Sequence, residues 1–116
     1  MIPTVLVLET QREIADALRD LLTSVRYAAV IRPHLEQLTD LGVAPVAIIV
    51  RMAFEGVGEP AHAAIARLPP GHPPVIALAS DEKELREARR LGADVVLRTP
   101  SEVNRLCDVL SQVIHA

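Results

Sequence analysis

Five short, mainly apolar runs recur along the chain at residues 5–8, 28–32, 47–50, 75–79 and 94–97, and the run at 28–32 is the weaker strand pattern. Apolar runs of this length, with little alternation between apolar and polar residues, are typical of parallel strands that are covered on both faces. The pattern therefore predicts five strands.

Helical patterns alternate with these strands. One apolar face of the first helix is formed by Ile14, Leu18, Leu21, Leu22 and Val25, which recur at the 3.6-residue spacing. Thr10 and Glu13 form a T-x-x-E capping box, which predicts that this helix starts at about Gln11. A short second helix is marked by Leu35, Leu38 and Leu41 and is closed by Gly42.

Two further helices are predicted around the fourth strand. Pro60 suits the first turn of a helix over residues 60–68. The stretch PPGHPP at residues 69–74 predicts an irregular connector, because proline cannot continue a helix or a central strand. Asp81 is the predicted N-cap of a helix that runs to Leu91.

The fold class follows from this alternation. Strands that alternate with helices predict parallel pairing through right-handed crossovers. We therefore expect an α/β fold: a doubly wound, five-stranded parallel sheet in the order 2-1-3-4-5 with five helices, which is a flavodoxin-like three-layer sandwich. A length of 116 residues suits one hydrophobic core, so residues 1–116 are expected to form a single domain.

Composition narrows the possible functions. The formal net charge is −3 and the basic residues are scattered, which does not favour a nucleic-acid surface. Cys107 is the only cysteine, so the chain has no internal disulfide and no thiolate zinc cluster. It lies in the apolar stripe of the last helix, which is predicted to begin at Ser101, and a packing role is expected. No apolar run approaches the roughly 20 residues of a membrane span, and no signal peptide is evident, so a cytoplasmic location is expected.

Polar residues follow the strands at the predicted carboxyl edge of the sheet, where doubly wound folds bind their ligands. The residues at this edge are Glu9, Thr10, Arg51, Ala79, Ser80, Arg98, Thr99 and Pro100. Arg51 ends the third strand in the segment VAIIVRMAFEG, so a permanent cation stands at the centre of the edge.

Other catalytic arrangements are missing from the sequence. The four histidines show no metal-ligand spacing, and the segment ETQRE after the first strand is not a glycine-rich phosphate loop. No Ser/His/acid or Cys/His arrangement is evident. The chain is therefore not expected to be an enzyme or to need a cofactor or metal.

The chain resembles the receiver domains of two-component response regulators over essentially its whole length. VLVLETQREIADALRDLL is similar to the family's first strand and helix, and PVAIIVRMAFEGVG resembles its third strand with the loop that carries the phosphorylated aspartate. PPVIALAS and LGADVVLRTP resemble the fourth strand and the fifth strand with its lysine–proline pair. The resemblance implies the receiver fold and a role in bacterial signal transduction.

Most of the functional residues that the resemblance implies are replaced. The acidic pair falls on Glu9 and Thr10, the phosphoacceptor aspartate on Arg51, the phosphoryl-sensing hydroxyl on Ala79 beside Ser80, the lysine–proline pair on Thr99 and Pro100, and the aromatic switch residue on Val96. Glu55 stands where a proline usually follows in the acceptor loop. The chain is therefore expected to be a degenerate receiver, or pseudo-receiver.

These replacements remove the usual chemistry. An acyl phosphate needs a carboxylate nucleophile, and a guanidinium cannot supply one. Magnesium needs several hard oxygen ligands, whereas one carboxylate, Glu9, remains beside the cation Arg51. We therefore expect neither phosphorylation nor Mg²⁺ binding at this edge.

A pairing hypothesis follows for the two charged residues. Glu9 and Arg51 end adjacent strands in the predicted order, so a carboxylate–guanidinium pair would fill the space of the metal and the phosphoryl group. Alternatively, Arg51 extends into solvent, or it binds a small anion together with Arg98 and Thr99.

With chemistry excluded, function is expected to lie in surfaces. The resemblance implies a partner face on the fourth helix, fifth strand and fifth helix, with candidate residues Arg86, Arg89, Arg90, Val96 and Arg105. The alternative for this helix is an ordinary solvated surface with pairs such as Glu82–Arg86. Met52 and Val57, expected to be exposed near the degenerate pocket, are a second possible contact.

Three functions remain open. The first is a phosphorylation-independent signalling module that binds a protein partner or forms a homodimer. The second is a small-anion or nucleotide sensor on the same fold. The third is a working phosphoacceptor that uses another acid such as Glu55.

Overall fold

The computed structural model describes residues 2–35, 38–53 and 59–114. One sheet contains the five parallel strands β1 (Thr4–Leu8), β2 (Ala28–Arg32), β3 (Ala47–Arg51), β4 (Val75–Ala79) and β5 (Val95–Arg98). Their order across the sheet is β2-β1-β3-β4-β5. The predicted parallel sheet and its strand order are confirmed.

The prediction of five helices is wrong. Three α-helices are present, α1 (Arg12–Ser24), α2 (Glu82–Arg90) and α3 (Leu106–Ile114), together with 3-10 helices at Leu38–Leu41, Ala61–Arg67 and Val103–Arg105. Within residues 2–35, 38–53 and 59–114, four helices therefore have seven or more residues. In the described part of the predicted second helix, Leu38–Leu41 form a 3-10 helix, which Gly42 ends at a φ of 73°.

Helices cover the sheet on both faces, so each face has its own core. On one face, α1 and α3 pack on strand residues through buried Leu18, Leu22, Leu106, Val109 and Leu110. On the other face, the helix Ala61–Arg67 and α2 pack through buried Ala61, Ala64, Ile65, Leu85 and Ala88. The three inner strands β1, β3 and β4 supply buried residues to both faces, as their continuous apolar runs predict.

The predicted capping box at the start of α1 is wrong. Gln11, not Thr10, is the N-cap, and no side-chain hydrogen bond caps the helix there. Thr10 therefore lies one residue too early to cap the helix, although the box pattern is present in the sequence. The Gln11 N–H instead donates to Oε1 of Glu9 at 2.9 Å, so the carboxylate of Glu9 lies at the beginning of α1.

The start of α2 follows its prediction. Asp81 is extended, and its side chain accepts a hydrogen bond from the Glu84 N–H at 2.8 Å. Glu84 Oε1 in turn accepts from the backbone N–H and the hydroxyl of Ser80, at 2.8 and 2.9 Å. These reciprocal bonds satisfy donors at the helix start that would otherwise have no partner.

The last helix begins later than predicted. Residues from Val103 to Arg105 form a 3-10 turn, and the α-helix starts at Leu106 rather than at Ser101. The buried stripe consists of Leu106, Val109 and Leu110, whereas Cys107 is only half-buried. Partial burial raises the pKa of the Cys107 thiol, with Asp108 contributing in the same direction. A neutral thiol in this position fits a packing role.

The turn after α1 offers a stability test. Arg26 has a φ of 68°, a left-handed conformation that is unfavourable for a residue with a Cβ and is usually taken by glycine at helix ends. We expect Arg26→Gly to raise the free energy of unfolding by about 0.5–1 kcal/mol. Urea denaturation measures the change, and Arg26→Ala is the control, since it keeps the Cβ and should give no gain. An equal gain in both variants would contradict the explanation.

Candidate functional site

The sheet register places Glu9 and Arg51 directly opposite each other. Leu8 pairs with Val50 across β1 and β3, and Glu9 and Arg51 are the next residues on each strand. Alternation along the strands directs both side chains toward the face that carries α1 and α3, because Val7 and Ile49 bury on that face. The charged pair is therefore a consequence of strand order and register.

Glu9 and Arg51 form a bidentate ion pair. Arg51 Nε donates to Glu9 Oε2 at 2.5 Å, and Arg51 Nη2 donates to Glu9 Oε1 at 3.2 Å. The side chain of Glu9 is 1% exposed and that of Arg51 is 16% exposed, so the pair is largely shielded from water. The predicted pairing is present, and the alternative in which Arg51 extends into solvent is wrong.

The pair also ties two strands to a helix. Oε1 of Glu9 accepts from the Gln11 N–H as well as from Arg51, and the Glu9 N–H donates to the carbonyl of Arg32 at 3.3 Å. Of the charged residues that the structure describes, Glu9 is the one that is buried. Its carboxylate accepts three hydrogen bonds. This arrangement offsets the cost of burying a charge, which would otherwise be several kcal/mol.

The remaining edge residues do not complete an acidic pocket. Ala79 is fully buried on the opposite face of the sheet, and Ser80 is exposed at the start of α2. Thr99 is half-buried and donates its N–H to the Ala79 carbonyl at 2.8 Å, and the peptide bond to the exposed Pro100 is cis. Thr10 is exposed beside Glu9. Glu55, the other candidate acid, lies outside the described residues.

Arg98 does not join Arg51 in an anion site. Its guanidinium contacts the carboxylate of Glu82 at the start of α2, and Glu9 holds the guanidinium of Arg51. Each of the two cations is therefore neutralised by its own carboxylate. This geometry gives the proposed anion site no excess positive charge.

The candidate partner face is present as an exposed, charged surface. Arg86 and Arg89 are exposed on α2, while Arg90 bonds to Glu87 with Nε–Oε2 at 2.9 Å. Arg105 bonds to Glu102 at 2.8 Å, and Val96 is half-buried against the core. The predicted pair of Glu82 with Arg86 is wrong, because Glu82 contacts Arg98 across the face instead.

A cavity of about 420 Å³ lies on the face of the sheet that carries α2. Its lining includes Met52, His62, Asp81, Lys83, Glu84 and Glu87. Met52 is 3% exposed, so its predicted exposure is wrong, and Val57 lies outside the described residues. Within the described part of the chain, the buried Nδ1 atom of His62 has no hydrogen-bond partner. Burial lowers the pKa of His62, although Glu87 and Glu84 oppose this shift.

His62 predicts a pH dependence of stability. Because its pKa is lower in the folded chain, the unfolded chain binds more protons as the pH falls below the ordinary value of 6.5. Its contribution is fully present above that value and is lost toward the lowered folded pKa. We expect acidification from about pH 7.5 to 5.5 to destabilise the wild type more than His62→Gln. Urea denaturation at both pH values tests this, and an equal loss in both proteins would contradict it.

Sequence reasoning missed a cleft beside the ion pair. The cleft lies between α1 and the turn before α3, and it has a volume of about 500 Å³. Its lining residues Ile14, Leu18 and Leu21 were assigned to the core stripe of the first helix, but Ile14 and Leu21 are only half-buried. A periodicity pattern does not distinguish a buried residue from one that borders a cleft.

No model of a known protein family matches the chain, and no curated protein does. None of the described helices is long and apolar enough to cross a membrane.

Solved structures resemble the chain closely. A response regulator receiver protein from Burkholderia phymatum is 26% identical, with a TM-score of 0.78 over 97% of this chain and 95% of that one. The receiver domain of a DNA-binding response regulator from Colwellia psychrerythraea 34H is 20% identical, with a TM-score of 0.77 over 98% and 99%.

A longer protein shares the same fold over part of its length. NtrX from Brucella abortus, solved in complex with ATP, is 18% identical, with a TM-score of 0.79 over 99% of this chain and 27% of that one. The sheet order and the likeness over nearly full length to isolated receivers agree with this match. The chain therefore has the fold of a response-regulator receiver domain.

Proposed function

We propose that this chain is a degenerate receiver that signals through protein–protein contacts without accepting a phosphoryl group. The observation that carries the proposal is the Glu9–Arg51 ion pair at the edge where the resemblance places the acidic pair and the phosphoacceptor. A guanidinium bonded to the remaining carboxylate leaves neither a nucleophile at position 51 nor a negative site for Mg²⁺.

The ion pair supports a single conformational state. In a receiver that is switched by phosphate, a ligand shifts the equilibrium only as far as it binds two states with different affinity. In this chain the guanidinium of Arg51 is already bonded to the carboxylate of Glu9. Oε1 of that carboxylate also accepts a hydrogen bond from the N–H of Gln11 at the beginning of α1. The domain therefore keeps one conformation for its partner.

The face formed by α2, β5 and α3 is the surface that we assign to the partner. Arg86 and Arg89 are exposed, and their carboxylate neighbours are used elsewhere, since Glu82 contacts Arg98 and Glu87 contacts Arg90. Two exposed cations on one helix favour an acidic partner surface, or an acidic patch on a second copy of the chain.

Thermal unfolding with Mg²⁺ and beryllofluoride tests the proposal. We expect the melting temperature of the wild type to shift by less than about 1 °C, because a ligand that does not bind the native state cannot stabilise it. The matched control is Thr10→Asp/Arg51→Asp/Thr99→Lys, which restores the residues that the resemblance implies. This variant should gain about 3 °C or more with both ligands together.

Two results would change the assignment. Mg²⁺-dependent stabilisation of the wild type by beryllofluoride would overturn the proposal, and it would also be expected if Glu55 were a working phosphoacceptor. Stabilisation by ATP, ADP or inorganic phosphate without Mg²⁺ and beryllofluoride would favour the anion-sensing alternative.

A further inference from the structure

The cleft beside the ion pair has walls from a helix and a turn and a floor from the sheet. Its volume is about 500 Å³, which lies within the range of small-molecule sites, about 300–1,000 Å³. The walls are formed by Ile14, Ala17, Leu18 and Leu21 of α1 and by Pro100 and Val103, and the floor is formed by Leu78 and Arg51. The polar residues Glu13, Ser80 and Thr99 complete the lining.

Local structure explains why the cleft is open. Ala17 is an exposed small residue on the α1 wall, so the wall is recessed there. On the opposite side, the α-helix begins only at Leu106, and the turn that contains Val103 replaces the helical turn expected there. Apolar wall residues such as Ile14 and Leu21 are therefore left half-buried. Covering this apolar surface with an apolar group of a ligand is favourable, because it removes the surface from water.

Arg51 supplies one polar feature of the floor. Glu9 occupies its Nε and Nη2 atoms, and among the described residues no acceptor is bonded to Nη1. Arg51 lines the cleft and its side chain is 16% exposed, so part of this side chain is accessible to a molecule in the cleft. A hydrogen bond to a shielded charged donor is among the stronger polar contacts in proteins.

The charges at the cleft favour a neutral acceptor over an anion. Glu9 neutralises Arg51, and the exposed carboxylate of Glu13 borders the cleft. An anionic ligand would therefore meet a net negative environment. A carbonyl oxygen accepts the same hydrogen bond without that repulsion.

We propose that this cleft binds a neutral, mainly apolar small molecule that carries a carbonyl group, whose oxygen accepts a hydrogen bond from Arg51 Nη1. A partner helix fits less well, because its backbone carbonyls are already used within the helix and do not reach a recessed guanidinium. Binding of a small molecule to this cleft does not depend on the proposed signalling function, and it can be measured without a partner protein.

The neutral naphthalene ketone Prodan is a suitable probe, since it combines an apolar ring with one carbonyl. We expect saturable binding with a blue-shifted emission. Ala17→Leu, which fills the recess in the wall, should weaken binding at least about tenfold, since it removes the space for the ring. The matched control, Ala66→Leu on an exposed position of the helix Ala61–Arg67, should leave binding unchanged.

A second comparison isolates the hydrogen bond. Glu9→Gln/Arg51→Met should bind Prodan at least about fivefold more weakly than Glu9→Gln, which retains the guanidinium. Amide shifts in nuclear magnetic resonance spectra of the wild type should change at Ala17, Leu21 and Val103, which does not depend on any variant. Non-saturable binding, or binding that Ala17→Leu does not weaken, would overturn the inference. The inference would also be overturned if Prodan failed to bind the wild type while a protein partner bound the wild type but not Ala17→Leu.

Discussion

Replacing Arg51 with Met is expected to lower the free energy of unfolding by about 3–5 kcal/mol, since it leaves the carboxylate of Glu9 buried without its cation. The side chain of Glu9 is 1% exposed, so water does not replace the two hydrogen bonds that the guanidinium donates. Methionine keeps much of the length of the arginine side chain, so the loss reports the charge more than the packing. Urea denaturation near pH 7.5 measures the change.

Two further variants separate charge from packing. Arg98→Met makes the same substitution at the end of β5, which is separated from β3 by β4. The pair of Arg98 with Glu82 is exposed there, so the change should cost less than about 1 kcal/mol. Glu9→Gln/Arg51→Met should recover at least about 1.5 kcal/mol relative to Arg51→Met, because a neutral amide costs less to bury than a carboxylate. If Arg51→Met and Arg98→Met cost the same, the ion pair does not act as a buried charge pair.

Leu106→Ala is expected to cost about 2–5 kcal/mol. Leu106 is fully buried in the core beneath α3, and its removal leaves a cavity between that helix and the sheet. The matched control is the next residue: Cys107→Ala should cost at most about 1 kcal/mol, because Cys107 is only half-buried. Urea denaturation of both variants measures the difference. A larger loss for Cys107→Ala would mean that α3 is rotated from its described position.

The ion pair connects the carboxyl edge of the sheet to the rest of the domain. The carboxylate of Glu9 accepts hydrogen bonds from the N–H of Gln11, just before α1, and from the guanidinium of Arg51 on β3. Arg51 also forms part of the floor of the apolar cleft. A receiver that uses its edge for phosphate needs that edge to be open and acidic. In this chain the edge is closed by the ion pair of Glu9 and Arg51, and a mainly apolar cleft lies beside it.

Several features of the fold were predictable because they depend on local sequence. The strands at residues 28–32 and 75–79 were predicted to the residue. The continuous apolar run at 75–79 identifies a buried parallel strand, whereas the mainly apolar run at 28–32 forms a strand that is only partly buried. Asp81 was identified as an N-cap because its side chain and its position before a helical pattern are sufficient to recognise one.

Other predictions failed where local signals compete. The pattern of Thr10 and Glu13 fits a capping box, but the chain enters α1 one residue later, so that Glu9 accepts from Gln11. Leu35, Leu38 and Leu41 have helical spacing, but the described segment Leu38–Leu41 is only a 3-10 turn before Gly42. A helix of this length depends on tertiary packing, which a local pattern does not report.

The sequence by itself determined the class of fold and the identity of the residues at the carboxyl edge, since these follow from apolar periodicity and chain connectivity. The strand order was predicted by taking the flavodoxin-like order of doubly wound folds, and it is confirmed. The opposite placement of Glu9 and Arg51 also followed from strand order. Only the tertiary structure decided that the guanidinium folds back onto the carboxylate in a shielded, bidentate pair rather than reaching solvent. It also decided that Glu82 pairs with Arg98 and that a cleft stays open beside Ala17, because side-chain pairing and unfilled volume depend on distances between elements far apart in the chain.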